Sequence, residues 1–306
     1  MLPLVVAAAS LLAPGSNVVV VGNGPIQSLA AKLAAIKGYK TTLAAVPNDP
    51  AIPSKLIFDA TYPEGSLPIE ILPIAGDAAD GAAIEACCAA ADGLIVAFDG
   101  EQTLPESALN IFVPPSGSNV KHISLMSRYL NGAGMMFTVN AAKLAANPEI
   151  WNGNSRAVAA YQAMERQITS RAAEVGAEYT VVRAGTLKGG GSGDSLSGGG
   201  GDARFLEPNF FYSLGQQDIV NWRLLYDCAA LGVELSRGDT LPGPGFTAAL
   251  TATTEEGGKG DSHRGAVASA LVEALSEPAA TDADFSVASV KGREFPTDWA
   301  ALFASA

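Results

Sequence analysis

The sequence VVVVGNGPIQSLAAKLAAIKG, residues 18–38, carries the pattern that decides the fold. Four consecutive valines predict a buried β-strand, and the alanine-rich stretch after the glycines predicts a helix. Gly22 and Gly24 have the G-x-G spacing of a strand–turn–helix unit that holds a dinucleotide. The first glycine makes the tight turn, and the second lets the backbone approach a pyrophosphate at the helix N-terminus.

The turn departs from the full pattern at two places. The third glycine, which would let the helix pack closely on the sheet, is absent, because Gln27 and Ser28 occupy that part of the motif. Pro25 fits the first helical turn sterically but removes one N–H donor. Any dinucleotide is therefore expected to bind weakly, and the turn alone leaves nucleotide binding open.

The composition predicts a folded chain with a large core. Hydrophobic residues make up 48% of the 306 residues and charged residues 16%. The formal charge of −12 would repel phosphate backbones, and the sequence has no basic patch, so we expect no nucleic-acid partner. Cys87, Cys88 and Cys228 lack C-x-x-C spacing and the chain has two histidines, so we expect no metal site.

Residues 1–16, MLPLVVAAASLLAPGS, are interpreted as an N-terminal arm packed on the body of the protein. Their apolar run is shorter than the roughly 20 residues of a membrane-spanning helix. They also lack the basic start of a secretory signal, and an alternative is the remnant of a removed targeting peptide. We expect no transmembrane segment, so any peripheral membrane association would come through partner proteins.

Strand-like and helical patterns alternate through the first 190 residues, which predicts right-handed crossovers and a parallel sheet. We expect a doubly wound α/β fold with a small C-terminal lobe, about seven strands in the order 3-2-1-4-5-6, and helices on both faces. The predicted strands are 18–21, 41–46, 70–74, 93–98, 120–126, 179–183 and 285–290, and the predicted helices are 26–37, 81–91, 138–146, 155–175, 216–235 and two in the C-terminal tail.

The composition changes after Arg183. The sequence GTLKGGGSGDSLSGGGGD, residues 185–202, has little apolar content and predicts a mobile or surface loop. We therefore interpret residues 17–306 as one domain, with 187–260 as a glycine-rich and aromatic insertion.

The aromatic segment 205–235 has two interpretations. Its predicted helix, 216–235, carries apolar residues on more than one side. The segment could bury its rings as a lid, or it could form a docking surface for a partner protein. The rings are those of Phe205, Phe210, Phe211, Tyr212, Trp222 and Tyr226.

Five further motifs follow in order: IEILPIAGDAAD, AADGLIVAFDG, VKHISLMSR, AEVGAEYTVVRAGTL and SHRGAVASALVEAL. Together with the glycine turn they resemble the NmrA-like atypical short-chain dehydrogenase/reductases, which are NAD(P)-binding proteins of the Rossmann fold. EYTVVRAG and HRGAVA are the most specific of these motifs. The resemblance covers residues 17–306 and is least close at 203–250.

The resemblance implies roles for individual positions. Gly22, Gly24 and Ile26 would line the pyrophosphate, Asp77 would lie beside the adenine, and Ser127 falls near the catalytic serine of the family. The other implied cofactor-binding residues are Ala97, Phe98 and Asp99, on the ribose and nicotinamide side, and Arg183, Ala184, Gly185 and Thr186, in the loop over the nicotinamide.

Two of these positions also have structural interpretations, since Asp77 could cap a helix after Gly76 and Arg183 could be an ion-pair partner at the end of the sheet. The identity of the cofactor is open as well. The second predicted strand ends in AAVPND, without the arginine that pairs with a 2′-phosphate. NADP, NAD and an empty cleft all agree with the sequence.

The catalytic pair of the family is broken in this chain. Active members carry a tyrosine and a lysine four residues apart on one helix face, and the lysine lowers the pKa of the phenol. Here the candidate is Tyr161, and Glu165 stands where the lysine would be. A carboxylate cannot replace the ammonium, and Arg166 lies one position further round the helix. We interpret Tyr161 as a packed aromatic residue rather than a working acid.

Two functions agree with these observations. One is an NAD(P)H-dependent oxidoreductase acting on a small carbonyl compound. The other, which we favour, is a non-catalytic or weakly active subunit or assembly factor of a larger complex, photosynthetic or respiratory, because the NmrA-like group includes such members. The C-terminal sequence FPTDWAALFASA resembles plastid members, which implies the stroma or thylakoid surface; the alternatives are the cytoplasm and the mitochondrial matrix.

Overall fold

Strands and helices alternate along the chain, as in an α/β protein. The computed structural model describes residues 11–45, 51–73, 78–99, 103–128, 155–191, 202–213, 228–241, 256–257 and 260–306. The strands are β1 (Asn17–Asn23), β2 (Lys40–Ala45), β3 (Ile69–Pro73), β4 (Gly93–Phe98), β5 (His122–Arg128), β6 (Glu178–Ala184), β7 (Thr186–Lys188), β8 (Gly232–Arg237), β9 (Asp261–His263) and β10 (Ala283–Val290). The helices are α1 (Gly24–Ile36), α2 (Ala51–Ile57), α3 (Ala78–Ala89), α4 (Glu106–Phe112), α5 (Ser155–Val175), α6 (Pro208–Ser213), α7 (Arg264–Ala274) and α8 (Trp299–Ser305).

Eight strands form the central sheet in the order β3-β2-β1-β4-β5-β6-β10-β8. All neighbouring pairs are parallel except β10 and β8, which are antiparallel. The direction of winding reverses between β1 and β4, so the carboxyl ends of these two strands form the crevice where doubly wound sheets bind ligands. The predicted doubly wound fold and strand order are confirmed, and the sheet is one antiparallel strand longer than predicted.

The four valines of β1 are buried because helices cover both faces of the sheet. Successive side chains of a strand point to opposite faces. Val18 and Val20 therefore join the core that contains residues of α1, α2, α7 and α8, whereas Val19 and Val21 join the core under α3, α4 and α5. Full burial of each valine contributes about 1.5 kcal/mol or more to stability.

The segment predicted as a surface loop, 185–202, begins with buried residues. Residues 185–191 are buried, and Thr186–Lys188 form β7, which pairs in parallel with β9 in a small second sheet. The prediction failed because glycine lets the backbone pack where a side chain cannot. A Cβ at Gly185 would lie 2.0 Å from the carbonyl oxygen of Gly260, and a Cβ at Gly191 would lie 2.4 Å from the ring of Phe211. Residues 192–201 lie outside the described residues.

The predicted helix 216–235 is wrong at its C-terminal end, because Gly232–Arg237 form strand β8. Val233 and Leu235 pack toward the core, whereas Glu234 between them is exposed, which is the alternation of a strand with one buried face. Pairing with β10 therefore overrides the helical spacing of the leucines. Residues 214–227 and the predicted helix 138–146 lie outside the described residues.

Two rings of the aromatic segment belong to the core. Phe211 is fully buried, and Phe205 packs against the rings of His263 and Phe295 at centroid distances of 5.6 and 5.5 Å. The backbone is anchored too, because the buried Lys32 ammonium donates to the carbonyl oxygen of Phe205 at 2.9 Å. These two rings therefore cannot contribute to an exposed docking surface, and Trp222 and Tyr226 lie outside the described residues.

The chain ends and helix ends follow local rules. Leu12, in the N-terminal arm, is buried, and its N–H donates to the carbonyl oxygen of Leu275 at 3.0 Å. Gly176, with φ of 72°, follows the last residue of α5, and the Asp298 carboxylate accepts from the N–H of Ala301 at the start of α8. Among the described helices, none has the length and apolar character needed to cross a bilayer.

A buried histidine lies at the amino end of β5. The Nε2 atom of His122 is 2.8 Å from the hydroxyl of Thr180, which itself donates to the carbonyl oxygen of Ala280 at 2.7 Å. The imidazole must therefore be the donor in the first contact, with its proton on Nε2. Burial lowers the pKa of His122 to about 4, so the ring is neutral at pH 7.

Stability should therefore fall as the pH drops from 6.5 toward 4. Below about pH 6.5 the unfolded chain protonates His122 while the folded chain does not, so His122 alone should lower the free energy of unfolding by about 2.5 kcal/mol between pH 7.5 and 4.5. Urea unfolding at the two pH values measures this loss. His122→Gln should lose about 2.5 kcal/mol less stability than the wild type over this pH range. Both proteins keep His263, whose pKa burial also lowers, so its loss is common to the two. Equal losses in both proteins would contradict the assignment.

Candidate functional site

The glycine turn joins β1 to α1 at the crevice between β1 and β4. Gly22 has φ of 135°, and a Cβ there would lie 1.7 Å from the carbonyl oxygen of Ala97, so glycine alone permits this passage. Gly24, with φ of 77°, begins α1 and is exposed at the tip of the turn. An anion can therefore reach the N-terminus of α1, where N–H groups without helical partners point outward.

A side chain replaces the missing third glycine. Gln27 is buried, and its Nε2 atom donates to the carbonyl oxygens of Ala44 at 2.7 Å and Val20 at 3.4 Å. The amide therefore stands between α1 and strands β1 and β2, where glycine would let the backbones touch. This contact holds the helix by hydrogen bonds to the sheet rather than by close backbone packing.

A buried ion pair flanks the turn. Arg264, the first residue of α7, donates from Nε to Oδ2 of Asp99 at 2.6 Å and from Nη2 to Oδ1 at 3.3 Å. Its Nη1 donates to the carbonyl oxygen of Gly189 at 2.9 Å. The Asp99 N–H donates to the carbonyl oxygen of Asn23, and a Cβ at Gly24 would lie 2.8 Å from the Asp99 Cβ. Arg264 therefore links the turn, the end of β4 and the glycine-rich segment.

Arg264 is absent from the residues predicted for the site, although it lies in the SHRGAVA motif. The signal was available in the sequence: one arginine precedes ten residues that are almost all small or apolar. A cation at that place in a buried helix needs an anionic partner. That partner, Asp99, lies 165 positions away in the chain, so only the folded structure identifies it.

Three other predicted residues shape the crevice through backbone and packing. Ala97 and Phe98 end β4; the carbonyl of Ala97 faces Gly22, and the Phe98 ring lies in the core under α5. Ile26 is fully buried in the opposite core. Asp77 lies outside the described residues.

The structure brings Ser127 to the carboxyl end of the sheet and places Tyr161 in the core. Tyr161 is 4% exposed and belongs to the same core cluster as Met164 and Ile168, which share its helix. Ser127 is fully buried in β5, beside Arg183 of β6, and among the described residues its hydroxyl has no hydrogen-bond partner.

An arginine holds the carboxylate that stands in place of the lysine. Arg183 donates from Nε and Nη2 to the two carboxylate oxygens of Glu165 at 3.0 and 2.9 Å, and its Nη1 binds Asp284. Burial acts to lower the pKa of Arg183, but the two carboxylates outweigh burial and raise that pKa above its ordinary value. Of the two interpretations of Arg183 from the sequence, the structure shows the ion-pair partner at the end of the sheet.

Other chain segments cover the residues predicted to lie over a nicotinamide. Ala184 and Thr186 are buried, and the N–H of Thr186 donates to the carbonyl oxygen of Gly260 at 2.8 Å. The N–H of Gly185 donates to the hydroxyl of Ser262 at 2.8 Å. Residues 260–262 therefore lie directly on this segment.

Comparison with known proteins gives distant matches. No protein-family model matches the chain, and no curated protein matches it. Similar solved structures include Gre2 from Candida albicans in complex with NADPH, at 12% identity and a TM-score of 0.49, covering 90% of this chain and 78% of that one. A short-chain dehydrogenase/reductase superfamily protein from Agrobacterium tumefaciens with bound NAD matches at 10% identity and a TM-score of 0.45, covering 94% and 81%.

A UDP-N-acetylglucosamine 4-epimerase from Methanobrevibacter ruminantium M1 matches at 10% identity and a TM-score of 0.44, covering 87% of this chain and 74% of that one. At these identities and scores the matches carry no argument about ligand or activity. The strand order of the sheet assigns the doubly wound fold.

Loss of the Glu165 charge should destabilise the protein. In Glu165→Gln the buried Arg183 guanidinium keeps one carboxylate partner, Asp284, instead of two. The free energy of unfolding should therefore fall by about 2 kcal/mol. Glu174→Gln, on the same helix, is the matched control: that side chain is 54% exposed beside Arg171, so its loss should cost less than about 0.5 kcal/mol. Urea unfolding measures both, and equal midpoints would contradict the structural role.

Proposed function

We propose that this chain is a non-catalytic or weakly active member of the dinucleotide-binding fold and acts as a subunit or assembly factor of a larger complex. The observation that carries the proposal is the binding of Glu165 by Arg183. The helix position that hydride chemistry needs for a cation holds a carboxylate, and a buried arginine neutralises that carboxylate.

The environment of Tyr161 supports the same conclusion. A phenol that acts as an acid must come within hydrogen-bond distance of the substrate. Tyr161 is buried in the core under α5 with Met164 and Ile168, so its ring serves packing. With Glu165 in place of the lysine four residues after Tyr161, nothing at that helix position lowers the pKa of the phenol, so hydride transfer to a carbonyl compound lacks its usual proton donor there.

The residues at the turn fit the phosphate end of a dinucleotide incompletely. Gly24 is exposed at the start of α1, and Arg264 supplies a cation beside it. Against binding, Pro25 offers no N–H, and the carboxylate of Asp99 lies against the turn. Bound NADP or NAD would contribute a hydride donor or acceptor; here the chain's own residues would hold its phosphates weakly.

One observation favours the second candidate, an NAD(P)H-dependent oxidoreductase for a small carbonyl compound. The hydroxyl of Ser127 lies at the carboxyl end of β5 and has no hydrogen-bond partner among the described residues. Because Ser127 is fully buried, its hydroxyl can donate to the carbonyl oxygen of a substrate only once the segments that cover it move aside. This candidate needs a proton donor other than Tyr161.

The partner surface belongs to the proposal as well. Docking through residues 205–235 would have to use side chains other than Phe205 and Phe211, because both are buried. A plastid location and a photosynthetic or respiratory complex rest on the resemblance of the C-terminal sequence and of the motif series to plastid and respiratory members of the NmrA-like group.

We expect weak binding of both dinucleotides. Each lost hydrogen bond to a charged phosphate costs about 1.5–3 kcal/mol, so calorimetry should give dissociation constants above about 1 μM for NADH and NADPH. Gly24→Ala is the control, since its Cβ would lie 2.8 Å from the Asp99 Cβ and should weaken binding at the turn. A submicromolar dissociation constant would show that the altered turn binds well.

The assembly role predicts that a variant without the phenol still functions. In cells that lack the protein, wild type and Tyr161→Phe should both restore the same high-molecular-mass complex, and native electrophoresis should find the 31.2 kDa chain within it. Ser127→Ala tests the second candidate in the same cells. A folded Tyr161→Phe protein that fails to restore the complex, or that loses turnover shown by wild type, would refute the proposal.

A further inference from the structure

Arg128, the last residue of β5, lies at the carboxyl edge of the central sheet. Met126, two residues earlier, belongs to the core that contains residues of α1 and α7. Side chains two positions apart on a strand point to the same face of the sheet. The Arg128 side chain therefore extends on the α1 and α7 face, and it is partly exposed, so a solute can reach it.

The guanidinium of Arg128 has no partner among the described residues. Its Nη1 atom is shielded from solvent and makes no hydrogen bond there. The other arginines that are fully or partly buried in the described part of the chain each bind a carboxylate; they are Arg171, Arg183, Arg204 and Arg264. A shielded N–H without an acceptor has lost its hydration without compensation. Arg128 thus needs an acceptor that the described residues do not supply.

The carboxylate beside Arg128 in strand register is bound elsewhere. Val96 of β4 is the Cα partner of Leu125, and the same register continued by three residues sets Asp99 beside Arg128. Both oxygens of Asp99 accept from the Arg264 guanidinium, at 2.6 and 3.3 Å. Asp99 therefore does not serve Arg128.

A second donor without a partner lies at the same edge. Ala184 of β6 is the Cα partner of Arg128, and Thr186 follows two residues later. Thr186 is 2% exposed, and its hydroxyl has no hydrogen-bond partner among the described residues. A strand spacing of about 4.8 Å and a rise of about 3.3 Å per residue put the Cα atoms of Arg128 and Thr186 about 8 Å apart, so one small group can contact both side chains.

We propose that Arg128 and Thr186 form a binding site for a small oxyanion, the carboxylate or phosphate group of a small molecule. A guanidinium donates two parallel N–H bonds to two oxygens of such a group, and a hydroxyl donates a third bond. Strand β5 lies two strands, about 10 Å, from the glycine turn on β1. The ligand is therefore separate from the pyrophosphate of a dinucleotide, and the site does not depend on the assembly role proposed above.

Loss of the guanidinium should weaken oxyanion binding. Succinate and inorganic phosphate, each titrated by calorimetry at constant ionic strength, are the probes. Wild type should bind at least one of them saturably, and Arg128→Gln should bind that probe at least tenfold more weakly. Preference for succinate assigns a carboxylate ligand, and preference for phosphate assigns a phosphate. Wild type that binds neither probe, or equal affinity of the two proteins, would overturn the proposal.

Arg166→Gln is the matched control. Arg166 is exposed on α5, a helix that packs on the opposite face of the sheet, and its neutralisation removes the same charge. This variant should bind the probe within about twofold of wild type, because salt screens exposed charges over about 10 Å. An equal loss of affinity in Arg166→Gln and Arg128→Gln would reduce the effect to net charge and overturn the site.

Stability and a second variant separate ligand binding from a structural role. Urea unfolding without ligand should give Arg128→Gln and Thr186→Val at least the stability of wild type, since neither change removes a partner. A clear loss of stability in Arg128→Gln would make the arginine structural and overturn the proposal. Thr186→Val keeps the shape of the side chain and should bind the probe about threefold more weakly; unchanged affinity would remove the hydroxyl from the site.

NADPH distinguishes this site from a dinucleotide site. Its affinity, whether weak or strong, should be the same within about twofold in wild type and Arg128→Gln, because the arginine lies two strands from the glycine turn. A tenfold loss of NADPH affinity in Arg128→Gln would place the arginine in the dinucleotide site and overturn the assignment of a separate ligand.

Discussion

The rest of the structure depends on the close passage of β1 past β4 at Gly22. A side chain there would collide with the carbonyl of Ala97, so glycine lets the two central strands stay in register up to their carboxyl ends. The chain can then turn at Gly24 and start α1 directly above the crevice. This geometry directs the N-terminus of α1 at the position where the strand order reverses, and it makes the turn an anion site in principle.

Two arginine–carboxylate groups then determine what that edge of the sheet can do. Arg264 pairs with Asp99 beside the glycine turn, and Arg183 pairs with Glu165 and Asp284 near the end of β6. Both groups are largely buried, so each charge depends on its partner. The fold thus keeps the strand–turn–helix backbone of the doubly wound sheet while the charged side chains at its edge pair with one another.

Sequence patterns failed where tertiary contacts outweighed local preference. The segment after Arg183 has almost no large apolar side chain, yet residues 185–191 are buried. The backbone at Gly185 lies so close to the Gly260 carbonyl, and that at Gly191 so close to the Phe211 ring, that no side chain would fit there. The leucines before Arg237 have helical spacing, yet pairing with β10 makes that stretch a strand. In both cases a partner distant in the chain supplied the deciding contact, and a local window cannot contain such a partner.

The sequence by itself determined the doubly wound fold, the order of its first six strands, the glycine turn and the absence of a lysine four residues after Tyr161, because these depend on residue type and short spacing. The tertiary structure alone decided which charges meet. Arg264 pairs with Asp99 and Arg183 with Glu165 and Asp284 across 165, 18 and 101 positions of the chain. Buried charges select partners by proximity in the folded protein, and no spacing in the sequence encodes that proximity.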